Sequence, residues 1–179
     1  MVFAKSKKSA FSFAFSQKKI LLQYKKSHHQ SKKTTIMTTR EEVEEMVNKY
    51  VVSVGLTKEG TFNEQRRAWY WTIGSAKIEV FIQSIPMKDG SERFFLRIFS
   101  PLLQVPKSDE TRFYRHLLEL NDSKLGVKLT IMPGSDTVYA TYERDIQGID
   151  YEEVCTCIAD LEWWADTLDD QLKNQFFGR

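Results

Sequence analysis

Between Ala68 and Val105 apolar and polar residues alternate through three successive segments, and any fold for this chain has to accommodate them. Period-two alternation places neighbouring side chains on opposite faces of a strand. It predicts strands over Ala68–Ile73, Ala76–Ile85 and Ser91–Leu103, parted by Gly74-Ser75 and by Lys88-Asp89-Gly90. Gly74-Ser75 is a two-residue loop with Gly first, the requirement of a type II′ turn. That turn sets Trp71 opposite Ile78, Trp69 opposite Val80, Tyr70 opposite Glu79 and Thr72 opposite Lys77. A two-residue loop at Asp89-Gly90 would carry Arg97 into the core beside Ile82. A three-residue loop, Lys88-Asp89-Gly90, instead sets Leu96 by Ile82 and Ile98 by Val80, and puts Gly90 where a left-handed residue is wanted. The second register is the one expected. One face of the meander is then Trp69, Trp71, Ile73, Ile78, Val80, Ile82, Phe94, Leu96 and Ile98, a core. The other carries Tyr70, Phe81, Phe95 and Phe99 among Lys77, Glu79, Arg93 and Arg97.

Helical spacing brackets the meander. Val43, Met46, Val47, Tyr50, Val51 and Val54 form one stripe over about Thr39–Val54, with Thr39 and Glu42 as a capping box, Thr38 and Glu41 as the alternative, and Gly55 at the stop. A polar loop, Thr57–Arg67, follows. A second helix is expected over about Asp109–Asn121, capped by Ser108, with Phe113, Leu117 and Leu120 in one row. After Gly126 the period returns to two. Val127, Leu129 and Ile131, then Val138, Ala140 and Tyr142, make a hairpin around Pro133-Gly134-Ser135-Asp136. The last helix spans about Asp150–Asn174, with Val154, Ile158, Leu161, Ala165, Leu168 and Leu172 as its stripe. The order α-β-β-β-α-β-β-α, with strands in hairpins, gives the α+β class and a mainly antiparallel five-stranded sheet packed by helices.

The net charge of +2 conceals a division. Residues 1–36 hold nine Lys and no Asp or Glu, whereas the remainder has 17 basic against 24 acidic residues, or −7. An acidic body is a poor general ligand for nucleic acid. No run of about 18 apolar residues is present to span a membrane. Cys155 and Cys157 sit two apart in a helix and point in different directions, which suits a reducing, cytoplasmic setting. For residues 1–36 three readings compete: a signal peptide, whose apolar pieces are too short and broken here; an organelle transit peptide, which would favour Arg where this segment has only Lys; and translated upstream sequence, with Met37 as the start. Each leaves residues 1–36 as a disordered basic extension and 37–179 as a single α+β domain.

Catalytic chemistry finds little support in residue types and spacing. A nucleophile needs a positioned base, and His116, the one histidine outside the first 36 residues, reads as a helix-surface residue. Cys155-Thr156-Cys157 lacks the two-residue gap of redox and zinc motifs. Glu152-Glu153 and Asp169-Asp170 are adjacent on a helix and diverge by about 100°. Trp164 follows the helix stripe, while Trp163 points elsewhere. No cofactor or metal is expected.

With this order of elements, the chain resembles the YbjN family of bacterial proteins, which shares a fold with type III secretion chaperones. The resemblance spans roughly Thr39–Phe177. It is carried by Phe94-Phe95-Leu96-Arg97-Ile98-Phe99-Ser100 closing the meander, by Leu117-Leu118-Glu119-Leu120-Asn121, by the two short strands, and by Ala165-Asp166 in the long acidic helix. It implies a compact α+β domain, a homodimer in the chaperone branch, that holds or regulates other polypeptides in a sensory or regulatory role. The expected function is a non-enzymatic chaperone-like or regulatory protein that binds a protein or peptide through apolar surface. The alternative is an enzyme with an unrecognised site. The expected partner or dimer surface is Tyr70, Phe81, Phe95 and Phe99 of the second sheet face, with Phe113 and Leu117 of the second helix if that helix leaves them uncovered.

Overall fold

The computed structural model describes residues 38–124 and 126–178, and the expectations for residues 1–36 lie outside the described residues. Helix α1 (Arg40–Ser53) starts at the expected capping box. The Glu42 N–H donates to Thr39 Oγ1 at 3.2 Å, and the Thr39 N–H donates to Glu42 Oε2 at 2.8 Å. Two otherwise orphaned helix N–H groups are satisfied in this way. A short helix α2 (Lys58–Thr61) leads into β1 (Phe62–Asn63), and the meander follows as β2 (Ala68–Ile73), β3 (Ala76–Pro86) and β4 (Glu92–Gln104). Helix α3 (Glu110–Ser123), strands β5 (Lys128–Ile131) and β6 (Thr137–Asp145), and helix α4 (Tyr151–Phe177) complete the order.

The sheet has six antiparallel strands in the order β1-β2-β3-β4-β6-β5, one more than expected. The added strand is β1, only two residues long, paired as Phe62↔Trp69 and Asn63↔Ala68. So short a segment has no alternation of its own, and it is a strand only because β2 lies beside it. Both meander registers are as expected. Trp71↔Ile78 and Trp69↔Val80 pair across the first turn, and Ile82↔Leu96 and Val80↔Ile98 across the second. Gly74 and Gly90 have φ of +55° and +82°, while Ser75 stays outside the positive-φ region, as a type II′ rather than a type I′ turn requires.

The helices gather on one face. Trp69 Nε1 donates to Asn48 of α1 at 2.9 Å, and Trp71 Nε1 to Glu162 of α4 at 2.7 Å. Helix α3 packs beside α4, with the Phe113 and Phe176 rings edge-on at 4.9 Å. Beneath them lie Val47, Ile78, Val80, Leu96, Ile98, Ile158, Leu161, Leu168 and Leu172, all buried. Each such side chain withdrawn from water contributes about 1.5–3 kcal/mol. Ile73, expected in this core, is 45% exposed, since it ends a strand at the rim of the sheet.

Candidate functional site

Among the described residues, no helix covers the other face of the sheet. Alternation places Tyr70, Phe81, Gln83, Phe95, Arg97, Phe99, Tyr139 and Glu143 there. Phe81 and Phe99 stack with ring centroids 5.5 Å apart and planes 7° apart, and Tyr139 stands edge-on to Phe99 at 6.3 Å. Arginines roof these rings. The Arg97 guanidinium lies 4.7 Å from the Phe99 ring centre and 5.8 Å from that of Phe81, and Arg93 lies 5.2 Å from Phe95. Such contacts contribute about 0.5–1 kcal/mol at exposed positions. Neighbouring strands anchor the roof. Arg97 pairs with Glu143 at 2.5 Å and donates to Gln83, Arg93 pairs with Asp145, and Lys128 reaches Glu143 at 3.0 Å.

These pairs shift the carboxylates. Burial alone would raise Asp145, but hydrogen bonds from Arg93 and the Gln147 N–H, with the Arg93 and Arg144 charges, outweigh it and hold its carboxyl below the ordinary value. Glu143 is likewise lowered: partial burial opposes, and Lys128 and Arg97 together prevail. Tyr70 is raised, first by burial and then by donating to Glu79 at 2.8 Å.

Of the residues expected on a partner surface, Tyr70, Phe81 and Phe95 are half-buried on this uncovered face. Phe99 shares the face but is only 4% exposed, because it sits on central strand β4 under Phe81, Tyr139 and Arg97. Phe113 and Leu117 require correction. Both turn inward and are buried, as α3 lies against α4 rather than presenting that row to solvent. Tyr114 and Leu118, one residue further round α3, are exposed in their place. The Thr57–Arg67 loop divides between the faces: Arg66 reaches Tyr70 and Glu79 on the aromatic face, while the Phe62 ring lies tilted at 4.7 Å from Trp69, which belongs to the helix-covered face.

The two sheet edges differ. At β5, Asn121 of α3 closes the edge with one side chain. Its Oδ1 accepts the Leu129 N–H at 2.6 Å, and its Nδ2 donates to the Leu129 carbonyl at 3.2 Å. A carboxamide thus takes the place of a neighbouring strand. At β2, the two-residue turn makes Ile73↔Ala76 a hydrogen-bonded pair, so Trp71 and Trp69 also face β3. The peptide groups of Tyr70 and Thr72 then point outward, and β1 reaches only as far as Trp69.

The other chemically notable residues are accounted for structurally. Glu162 is buried and accepts from Tyr50 Oη at 2.8 Å and from Trp71, tying α1 to α4 and β2. Burial and the Glu162 carboxylate push the Tyr50 phenol well up. Burial also raises the Cys157 thiol, which favours its protonated form, and Cys155 is half-buried. His116 packs 5.6 Å from the Phe176 ring. A cleft of about 600 Å³ lies between the start of α1 and the β4–β6 end of the sheet, lined in part by Arg40, Arg67, Arg93 and Asp145. Its arginines are engaged: Arg40 and Arg67 with Glu44, and Arg93 with Asp145. Among the described residues, no histidine or cysteine lines it.

No protein-family profile matches the chain, and no curated protein matches it in sequence. Solved structures do. A chain in the crystal structure of the ExsC–ExsE complex superposes with a TM-score of 0.55 at 11% identity, covering 76% of this chain and 97% of that one. YbjN from E. coli, described as a proposed transcription regulator, aligns with a TM-score of 0.49 at 14% identity, over 75% of this chain and 92% of that one. The chain has the type III secretion chaperone-like fold. The fold implied by the Phe94–Ser100 meander and the long acidic helix is the fold observed.

Proposed function

We propose that this protein is a non-enzymatic, chaperone-like or regulatory binder of polypeptides, and that the bound chain lies across the uncovered face of the sheet. The observation that carries the proposal is the aromatic row Tyr70, Phe81, Phe95 and Phe99, continued by Tyr139, which no helix among the described residues covers. Large apolar groups left at water cost about 25 cal/mol for each Å², so covering them drives association. Arg93 and Arg97 limit that cost in the free protein and can turn aside for a partner. Among the described residues β2 has no neighbour on its outer edge beyond β1, and its peptide groups there offer an extended chain a place to add as a strand. A second copy of this chain, giving a homodimer, is the occupant that the family resemblance favours. In the ExsC–ExsE complex, the neighbour with the same fold is itself in a complex with another protein.

The test compares wild-type protein with Phe81→Glu/Phe95→Glu, both in half-buried positions. Phe99 is too deeply buried for this purpose, since a carboxylate there would unfold the sheet. Polypeptides retained by wild type and released by the double variant, or a dimer in light scattering that the variant converts to monomer, support the proposal. The melting temperature should be nearly unchanged. A variant that keeps the same partners and the same mass overturns it.

A further inference from the structure

Beside the far end of β4 is a second cleft, of about 460 Å³. Its walls include Ser75 and Lys77 of the first hairpin, Gln104, Thr137, and Asp169 and Lys173 of α4. Pro101 accounts for the break in the sheet at this point. The β3–β4 ladder ends at Glu79↔Phe99, and continuing its register sets Lys77 opposite Pro101. Proline has no N–H, so the Lys77 carbonyl, which points toward β4, meets no ladder donor.

Asp169 supplies a second unmatched acceptor. It is only 5% exposed, and its Oδ1 has no hydrogen-bond donor among the described residues. Its Oδ2 accepts from Lys173 Nζ at 2.5 Å, and the Lys173 side chain is 43% exposed. An ammonium is a point charge and satisfies one oxygen. A guanidinium offers two parallel N–H groups matched to both oxygens of a carboxylate. Lys173 can swing into water at little loss, because its stem is flexible and its head already reaches solvent. Lys77, the other cation of the cleft, is exposed and screened by water.

We propose that this cleft receives an arginine side chain of the bound polypeptide. The guanidinium displaces Lys173, takes both oxygens of Asp169, and directs a remaining N–H to the Lys77 carbonyl. This inference rests on the polypeptide-binding reading: Tyr139 lines the cleft and also stands against Phe99, so a chain crossing the aromatic face runs to the cleft mouth. The net charge of −7 over residues 37–179 draws a basic chain.

The probe is N-acetyl-arginine amide, titrated into the ¹⁵N-labelled full chain at constant ionic strength. Saturable shifts are expected at the amides of Ser75, Lys77, Gln104 and Thr137. N-acetyl-citrulline amide, the same shape without the charge, should bind at least about tenfold more weakly. Asp169→Asn should abolish saturation, and Lys173→Met, which removes the displaced cation, should tighten binding. Opposite effects of these two variants cannot arise from a general loss of structure. Equal binding of the two amides, absence of saturation, or weaker binding to Lys173→Met overturns the inference. Phe81→Glu/Phe95→Glu should leave the titration unchanged, so failure of the cleft and failure of the aromatic face are read separately.

Discussion

The two faces of the sheet are made by the same strands, residue by alternate residue, yet they are built on different terms. On the inner face Trp69, Ile78, Val80, Leu96 and Ile98 are sealed by α1 and α4, and the indole N–H groups of Trp69 and Trp71 end on Asn48 and Glu162. On the outer face the row is aromatic, no helix among the described residues lies over it, and charged side chains from adjacent strands form the cover. Aliphatic groups packed by helices have no second stable arrangement open to them. Aromatic rings under arginines do, because the cover is held by surface ion pairs that contribute about 0–1 kcal/mol each. The inner face holds the fold, and the outer face is where the proposed partner would lie.

The comparison breaks most decisively in the core. Leu96→Ala on the inner face and Leu161→Ala on the buried stripe of α4 should each cost roughly 2–5 kcal/mol by urea titration. A loss under about 1 kcal/mol for either would mean that the helices do not seal that face. Next come the buried acceptors. Asn48→Ala leaves the Trp69 N–H without a partner in the core and should cost about 1–3 kcal/mol, with a shifted tryptophan emission. An unchanged stability would show that water reaches the indole.

At the edges the effects are smaller and of another kind. Asn121→Ala should lower stability by about 0.5–1.5 kcal/mol, the worth of a net hydrogen bond, while uncovering the β5 edge. Sedimentation should then detect association that wild type lacks at that edge. If the variant sediments like wild type, the carboxamide is not what closes it.

The smallest effect is expected from the ion pairs of the outer cover. Asp145 and Glu143 both titrate below their ordinary values in the folded protein. Their contribution is therefore present above the ordinary carboxylate range and is lost as pH falls through the depressed values. Acid titration of Glu143→Gln/Asp145→Asn should show a shallower decline in stability below about pH 4 than wild type. Parallel curves would mean that the pairs add nothing measurable.

Sequence alone discloses the faces of the meander but not which one is covered. Alternation and turn chemistry were enough for both registers, because a slip by one residue would have put Arg97 in the core. The capping box at Thr39 and the four-three stripe of α4 were equally legible. What escaped notice depended on partners distant in sequence. Strand β1 exists only against β2. Phe113 and Leu117 are buried in the core, where Phe176, at the end of α4, packs edge-on against Phe113. At the start of α3, Ser108 was expected to cap, but Asp109 precedes the helix in a left-handed conformation, φ +61°, and makes no capping hydrogen bond. Asp169 looked like one acid of a solvated pair. In the fold it is only 5% exposed, beside Pro101 and Leu103 at the end of β4, which a helical wheel does not display.

Glu162 links residues made early to one made late. Its partners Tyr50 and Trp71 lie 112 and 91 positions before it in the chain. During synthesis the meander and α1 emerge well before α4 does. Until α4 arrives, Trp71 has no acceptor and the middle of the sheet lacks its principal cover, so both sheet faces are apolar and accessible together. A nascent chain in that state resembles the kind of client that the finished protein is proposed to hold. Truncation before Tyr151 should therefore yield a chain that aggregates instead of a smaller working domain.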